Sequence, residues 1–178
     1  MGKNICIRTV GDPVLKKKSE KVEELSSEIL DIIEDLKETL KYSEGFGIAA
    51  PQIGINKRIV LINVDPEKCT YQEVEEIKDL ILINPVWKNI TEEKYSEYEG
   101  CLSVPEIKGI VERYYKIELK YLDEKFNEQI KVLSGFSARV VQHECDHLDG
   151  IVFLDKVINK GFATRKNIQK YNLKDNLI

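Results

Sequence analysis

The sequence predicts an α+β fold in a single domain, and three observations predict it. The chain has 178 residues, the usual size of one domain. Its β-type segments come in runs instead of alternating one for one with helices, which argues against a parallel βαβ architecture. Two segments carry helical periodicity with start and stop signals of their own. No repeat, linker or low-complexity stretch divides the chain, and its 42% hydrophobic share can build a core without disulfides.

The elements follow in chain order. Ser26 and Ser27 can cap a helix in which Ile29, Ile32, Ile33, Leu36 and Leu40 recur at helical spacing, a stripe that faces a core. Residues 45–54, Gly-Phe-Gly-Ile-Ala-Ala-Pro-Gln-Ile-Gly, are small and glycine-rich, so the backbone can approach something closely there. Lys57 to Val64 and Leu80 to Trp87 read as strands, with a polar surface loop or short helix from Asp65 to Asp79 between them. Ile110 to Leu122 partly alternates apolar and polar residues. A polar turn at Asp123 to Asn127 leads into Glu128 to Leu133, which completes a hairpin. Ser134 is placed to cap a second helix that runs to about Leu148 and stops at Gly150.

Composition excludes several function classes. With 27 Lys and Arg against 31 Asp and Glu, the net charge of −4 argues against a general nucleic-acid coat, so no DNA partner is expected. The strongest apolar runs, such as Ile59 to Ile62, are too short to cross a bilayer, and no membrane partner is expected. The first residues lack the apolar stretch of a signal peptide, and Cys6 stands where a myristoylation signal wants Ser or Thr. Cys6, Cys69, Cys101 and Cys145 form no CxxC pair, which suits a reducing compartment. A cytoplasmic protein is the expectation.

The chain has only two histidines, and both fall in His143-Glu144-Cys145-Asp146-His147. At i and i+4 on a helix their rings project from one face, so two imidazole nitrogens can reach one metal ion. Glu144 lies about 100° round the helix, within reach of a water at that ion without ligating it. A third histidine ligand is impossible within one chain, and no glutamate follows Glu144. Asp155 remains open as the third ligand. So does Cys101, in Glu99-Gly100-Cys101-Leu102-Ser103, where a glycine permits close backbone approach and a carboxylate lies two residues away. Cys145 points away from the ligand face and reads as a buried thiol, while Cys6 and Cys69 have nothing beside them to suggest a site.

Three segments, Gly45-Phe46-Gly47-Ile48-Ala49-Ala50-Pro51-Gln52, Glu99-Gly100-Cys101-Leu102-Ser103 and Gln142-His143-Glu144-Cys145-Asp146-His147, together resemble the motifs of peptide deformylases. The resemblance covers roughly residues 5 to 157. HExxH alone is shared by many unrelated metalloenzymes, whereas the three segments in this order are highly specific. The resemblance implies a compact domain of antiparallel sheets around a central helix carrying HExxH. It also implies removal of the N-terminal formyl group from formyl-methionyl nascent polypeptides, with release of formate.

By that resemblance Cys101, His143 and His147 hold one divalent metal, Glu144 is the general acid/base, and Gln52 and the Leu102 N–H steady the oxyanion. Phe46, Gly47, Glu99 and Gly100 fall on the substrate side, with Glu99 held by a cation such as Arg113. The methionine pocket falls to Val140 and Phe136, whereas Arg139 on the same helix is less apolar than that role favours. Fe²⁺ is the expected cellular metal, with Zn²⁺, Ni²⁺ or Co²⁺ possible in purified protein. Residues 1–157 form the expected catalytic domain, and 158–178 a basic tail or short helix. From Asp155 onward six Lys and Arg stand against two Asp, a basic segment that could dock on the ribosome. The alternatives are an HExxH metallopeptidase and a noncatalytic metal-stabilised binding protein. Glu144 and Gln52 count against the latter, which needs neither.

Overall fold

Ser26 opens the first helix, α1 (Ser27–Lys41), by accepting the backbone N–H of Ile29 on its hydroxyl. The computed structural model describes residues 2–68 and 74–173. Helix α1 is followed by β1 (Gly47–Ala49), a 3₁₀ turn (Ala50–Ile53), β2 (Ile59–Val64) and β3 (Ile77–Asn89). Then come β4 (Lys94–Cys101), β5 (Val104–Tyr114), β6 (Lys116–Leu122) and β7 (Glu128–Ser134). Helix α2 (Gly135–Leu148), β8 (Val157–Thr164) and α3 (Arg165–Lys170) complete the order.

All strand pairings in the two sheets are antiparallel. The larger sheet runs β1-β2-β3-β6-β7 and the smaller β4-β5-β8. Strand β2 shows why the larger sheet reads as a near-continuous apolar run. Its side chains alternate faces, and both faces are covered. Ile59 and Leu61 join the core made with Ile29, Ile32, Ile33, Leu36 and Leu40 of α1. Val60 and Ile62 join Val141, Cys145 and Leu148 of α2 on the opposite side. The smaller sheet closes over α2 from its other side, with Val104 and Val111 packed on Phe153. Helix α2 is therefore the centre of the molecule, and its residues from Ser137 to Leu148 are all buried.

Several expected boundaries move. Strand β3 starts at Ile77 rather than Leu80, and residues 69–73 of the expected loop lie outside the described residues. The stretch Ile110 to Leu122 is not one strand. The chain leaves the small sheet at Tyr114 and enters the large one at Lys116, turning at Tyr115, whose N–H donates to Glu93 O and whose carbonyl accepts from Gly135. The alternation continues across that crossing because each half buries its own face. The hairpin itself stands, joined through the expected turn at Asp123 to Asn127. Ser134 occupies the N-cap of α2, but its hydroxyl makes no capping bond. The expected division between residues 157 and 158 falls inside β8, which pairs with β5 from Val111↔Val157 to Ile107↔Thr164. No helix among the described residues is long and apolar enough to cross a membrane.

Candidate metal centre and active site

Helix α2 presents His143 and His147 on one face, and β4 brings Cys101 to meet them. The Cys101 Sγ lies 3.2 Å from His147 Nε2, and one ligating atom from each of the three residues falls within 4.8 Å of the others. His143 Nδ1 is 3.0 Å from Glu99 Oε2, which leaves Nε2 to face the cluster. His147 Nδ1 is buried and has no partner among the described residues. Burial works to raise the Cys101 thiol, yet the imidazoles of His147 and His143 outweigh it and hold the thiol well below its usual range. A thiolate and two imidazoles converging in this way fit zinc or ferrous iron.

Glu144 stands beside the cluster, almost wholly buried, with Oε2 unpartnered among the described residues. Burial pushes its carboxyl up to about 7. The backbone of β1 lies directly against it, since a Cβ at Gly47 would come 2.8 Å from Glu144 Oε1. A side chain at that position would have to push the Glu144 carboxylate aside. Gln52 sits on the 3₁₀ turn after β1. Its carbonyl accepts the Ala49 N–H at 2.8 Å, which fixes the amide so that Nε2 faces Ser103 Oγ at 3.2 Å and Cys101 Sγ at 3.6 Å. Leu102 is half-buried next to Cys101, close enough to Gly45 that a Cβ at Gly45 would meet its Cδ1 at 2.9 Å. Phe46 packs edge-on against Phe136, with ring centroids 5.2 Å apart.

The predicted residues therefore converge, with exceptions. Glu99 does not face a peptide. Its carboxylate is buried and accepts bonds from Arg113 at 2.9 Å on each oxygen, from Arg139 at 2.6 Å and from the His143 ring. Burial opposes its ionisation, but Arg113 and His143 outweigh burial and keep it ionised. Arg139 does not rim a methionine pocket. It is buried and points into the Glu99 network, because a guanidinium there finds a carboxylate and two carbonyls that no apolar pocket supplies. Asp155 lies outside the cluster, paired with Lys16 Nζ at 2.6 Å. Cys145 is a core thiol raised by its burial, Cys6 is exposed, and Cys69 lies outside the described residues. Sequence reasoning missed Asp146, which Arg113 and Lys156 hold from opposite sides. No local signal marked Asp146, because its partners Arg113 and Lys156 stand on other elements.

The family model for polypeptide deformylases matches residues 5–162 of this chain. The chain belongs to the polypeptide deformylase family. It is similar to the peptide deformylase of Brachyspira hyodysenteriae, 46% identical over 153 residues that span 83% of this chain and 77% of that protein. Peptide deformylase 1 of Prochlorococcus marinus is 43% identical over 154 residues, covering 86% of this chain and 80% of that protein. The crystal structure of the Thermotoga maritima peptide deformylase superposes with a TM-score of 0.78 at 35% identity, covering 87% of this chain and 98% of that one. As a member of this metal-dependent family the chain is an enzyme, a hydrolase that deformylates nascent polypeptides, and the metallopeptidase and noncatalytic alternatives are not favoured.

Proposed function

We propose that Cys101, His143 and His147 hold one divalent metal and that Glu144, Gln52 and Leu102 carry the hydrolysis of the formyl amide. The observation that carries this reading is the convergence of three ligating atoms within 4.8 Å beside a buried carboxylate with a free oxygen. When bound, the metal supplies Lewis acidity and lowers the pKa of water toward ~7. Glu144, poised near neutrality, takes one proton from the attacking water. The water oxygen bonds to the formyl carbon, and charge builds on the formyl oxygen. Gln52 Nε2 and the Leu102 N–H donate to that oxygen, and one such donor is typically worth ~3 kcal/mol. The C–N bond then breaks as Glu144 returns its proton to the leaving nitrogen, and the second water proton passes from the formic acid to the free amine or solvent, so that formate leaves. A formyl carbon carries hydrogen where acetyl carries a methyl group, so a tight site accepts the first and rejects the second.

The peptide extends along β1. That strand is at the edge of its sheet, so the backbone at Phe46 and Gly47 can pair with an added strand, and Gly100 on β4 is the further backbone contact this reading assigns. Phe136 and Val140, beside Phe46, form the apolar seat for methionine. The crystal structure of an Acinetobacter baumannii deformylase that superposes at a TM-score of 0.80 and 33% identity holds Met-Ala-Ser, which supports a peptide beginning with methionine as the ligand class. Formate release from a formyl-Met peptide, beside an acetylated control, tests the activity. No formate from metal-replete protein overturns it.

The cellular metal is Fe²⁺ in this reading, because the thiolate and imidazole donors suit it and the family commonly uses it. Zinc alone together with full activity after anaerobic preparation overturns that assignment. The site of action is the cytoplasm. Arg165, Lys166 and Lys170 stand exposed on α3 and support contact with ribosomal RNA. Reversal of Lys166 and Lys170 to Glu is the appropriate test, since truncation after Lys160 cuts β8 in half. Ribosome co-sedimentation that the reversal leaves unchanged overturns the docking.

A further inference from the structure

Resting on the proposed Cys101, His143 and His147 ligand set, we infer that Arg139 is a positioning residue that pins β4 to α2 and thereby places the Cys101 thiol beside the two imidazoles. Arg139 and His143 are one helical turn apart, and they grip a single carboxylate between them. Arg139 Nη1 donates to Glu99 Oε1 at 2.6 Å, and His143 Nδ1 meets Glu99 Oε2 at 3.0 Å. The remaining contacts of the guanidinium reach the strands of the small sheet. Nη2 donates to Tyr95 O on β4 at 2.8 Å, and Nη1 also donates to Val111 O on β5 at 3.1 Å. The guanidinium carbon lies 4.2 Å over the Tyr95 ring.

Strand β4 carries Tyr95 at one end, Glu99 near the other, and Cys101 as its last residue. Arg139 thus fixes the strand at Tyr95 and at Glu99, two residues short of the thiol. Arg113 also joins Glu99 on β4 to Asp146 on α2, but it does so from β5. Arg139 stands on α2 itself and holds β4 at both Tyr95 and Glu99. A lysine has one nitrogen and cannot reproduce the fork that serves a carboxylate and two carbonyls together.

The test uses Co²⁺ as the probe, because a cobalt thiolate absorbs in the near-ultraviolet and reports Cys101 ligation separately from histidine ligation. The parent chain is expected to bind one Co²⁺ with that band, and Cys101→Ser to remove it. Arg139→Met is expected to weaken Co²⁺ affinity about 10–100-fold, the usual effect of losing a group that orients ligands, and to diminish the thiolate band. Arg139→Lys, which keeps the charge and perturbs folding least, is expected to recover part of both. It decides the matter if the Met variant does not fold. A lowered melting temperature with parental Co²⁺ affinity and an intact thiolate band marks a purely structural arginine and overturns the inference. A parent chain that takes up no Co²⁺ overturns the metal reading beneath it.

Discussion

Helices α1 and α2 are similar in length and both are packed against the same sheet, yet they bury different chemistry. On α1 the hidden residues are Ile29, Ile32, Ile33, Leu36, Thr39 and Leu40, a stripe on one face with the rest in water. On α2 twelve consecutive residues are hidden, among them Arg139, Gln142, His143, Glu144, Asp146 and His147. A surface helix needs one apolar face. A helix between two sheets has no face left for solvent, so its polar residues must find partners inside. For Arg139, Gln142, His143 and Asp146 those partners include Glu99, Arg113, Lys156 and the Tyr114 backbone, while Glu144 Oε2 and His147 Nδ1 stay unpartnered among the described residues. The contrast separates a helix that supplies stability from one that spends stability to hold reactive groups in place.

Substitutions on the two helices should therefore divide cleanly. Glu144→Gln on α2 is expected to lower kcat for formate release about 10³-fold while the fold survives, as removal of a general acid/base does. Leu36→Ala on α1, at a fully buried site, should cost roughly 3 kcal/mol in urea unfolding and leave kcat/KM unchanged. An activity loss in Leu36→Ala matching that of Glu144→Gln would dissolve the distinction.

A pH series on metal-free protein sharpens it further. The Glu144 carboxyl sits at about 7 in the folded chain against 4.5 ordinarily. The folded chain thus keeps a proton that the unfolded chain has lost between those values. This group's favourable contribution is complete below 4.5 and is lost as pH rises to 7, amounting to up to about 3 kcal/mol. Relative to Glu144→Gln, the metal-free parent should weaken by that amount between pH 4.5 and 8, and parallel stability curves would refute it. Smallest is Ser26→Ala, which removes the α1 cap and should cost about 1 kcal/mol, read by the same unfolding curves.

The same contrast explains what could be read from the residues alone. Helix α1 was legible because its burial is one-sided and its period therefore shows. The hairpin of β6 and β7 was legible because Asp123, with its carboxylate accepting the Lys125 and Asn127 N–H groups, writes a turn into local sequence. The crossing at Tyr115 was not, because no glycine or proline marks it and the bonds that turn the chain come from Glu93 and Gly135. Strand β4, Lys-Tyr-Ser-Glu-Tyr-Glu-Gly-Cys, shows no apolar pattern, since the charge it buries is matched by arginines on other elements. At the site, the spacing of His143 and His147 was visible as helix geometry. The partnership of Arg139 with Glu99 joins residues forty apart in sequence, and no local rule reports it.

The contact between Gly47 and Glu144 sets a rule for how this protein can vary. Two residues 97 positions apart share one small volume, so a methyl group added at the first must be matched by a methylene removed at the second. Gly47→Ala alone drives the carboxylate aside. Paired with Glu144→Asp, it restores the space but draws the proton acceptor back by a bond length. In this corner of the molecule the edge strand and the carboxylate share one space, so bulk added at Gly47 is felt first at Glu144.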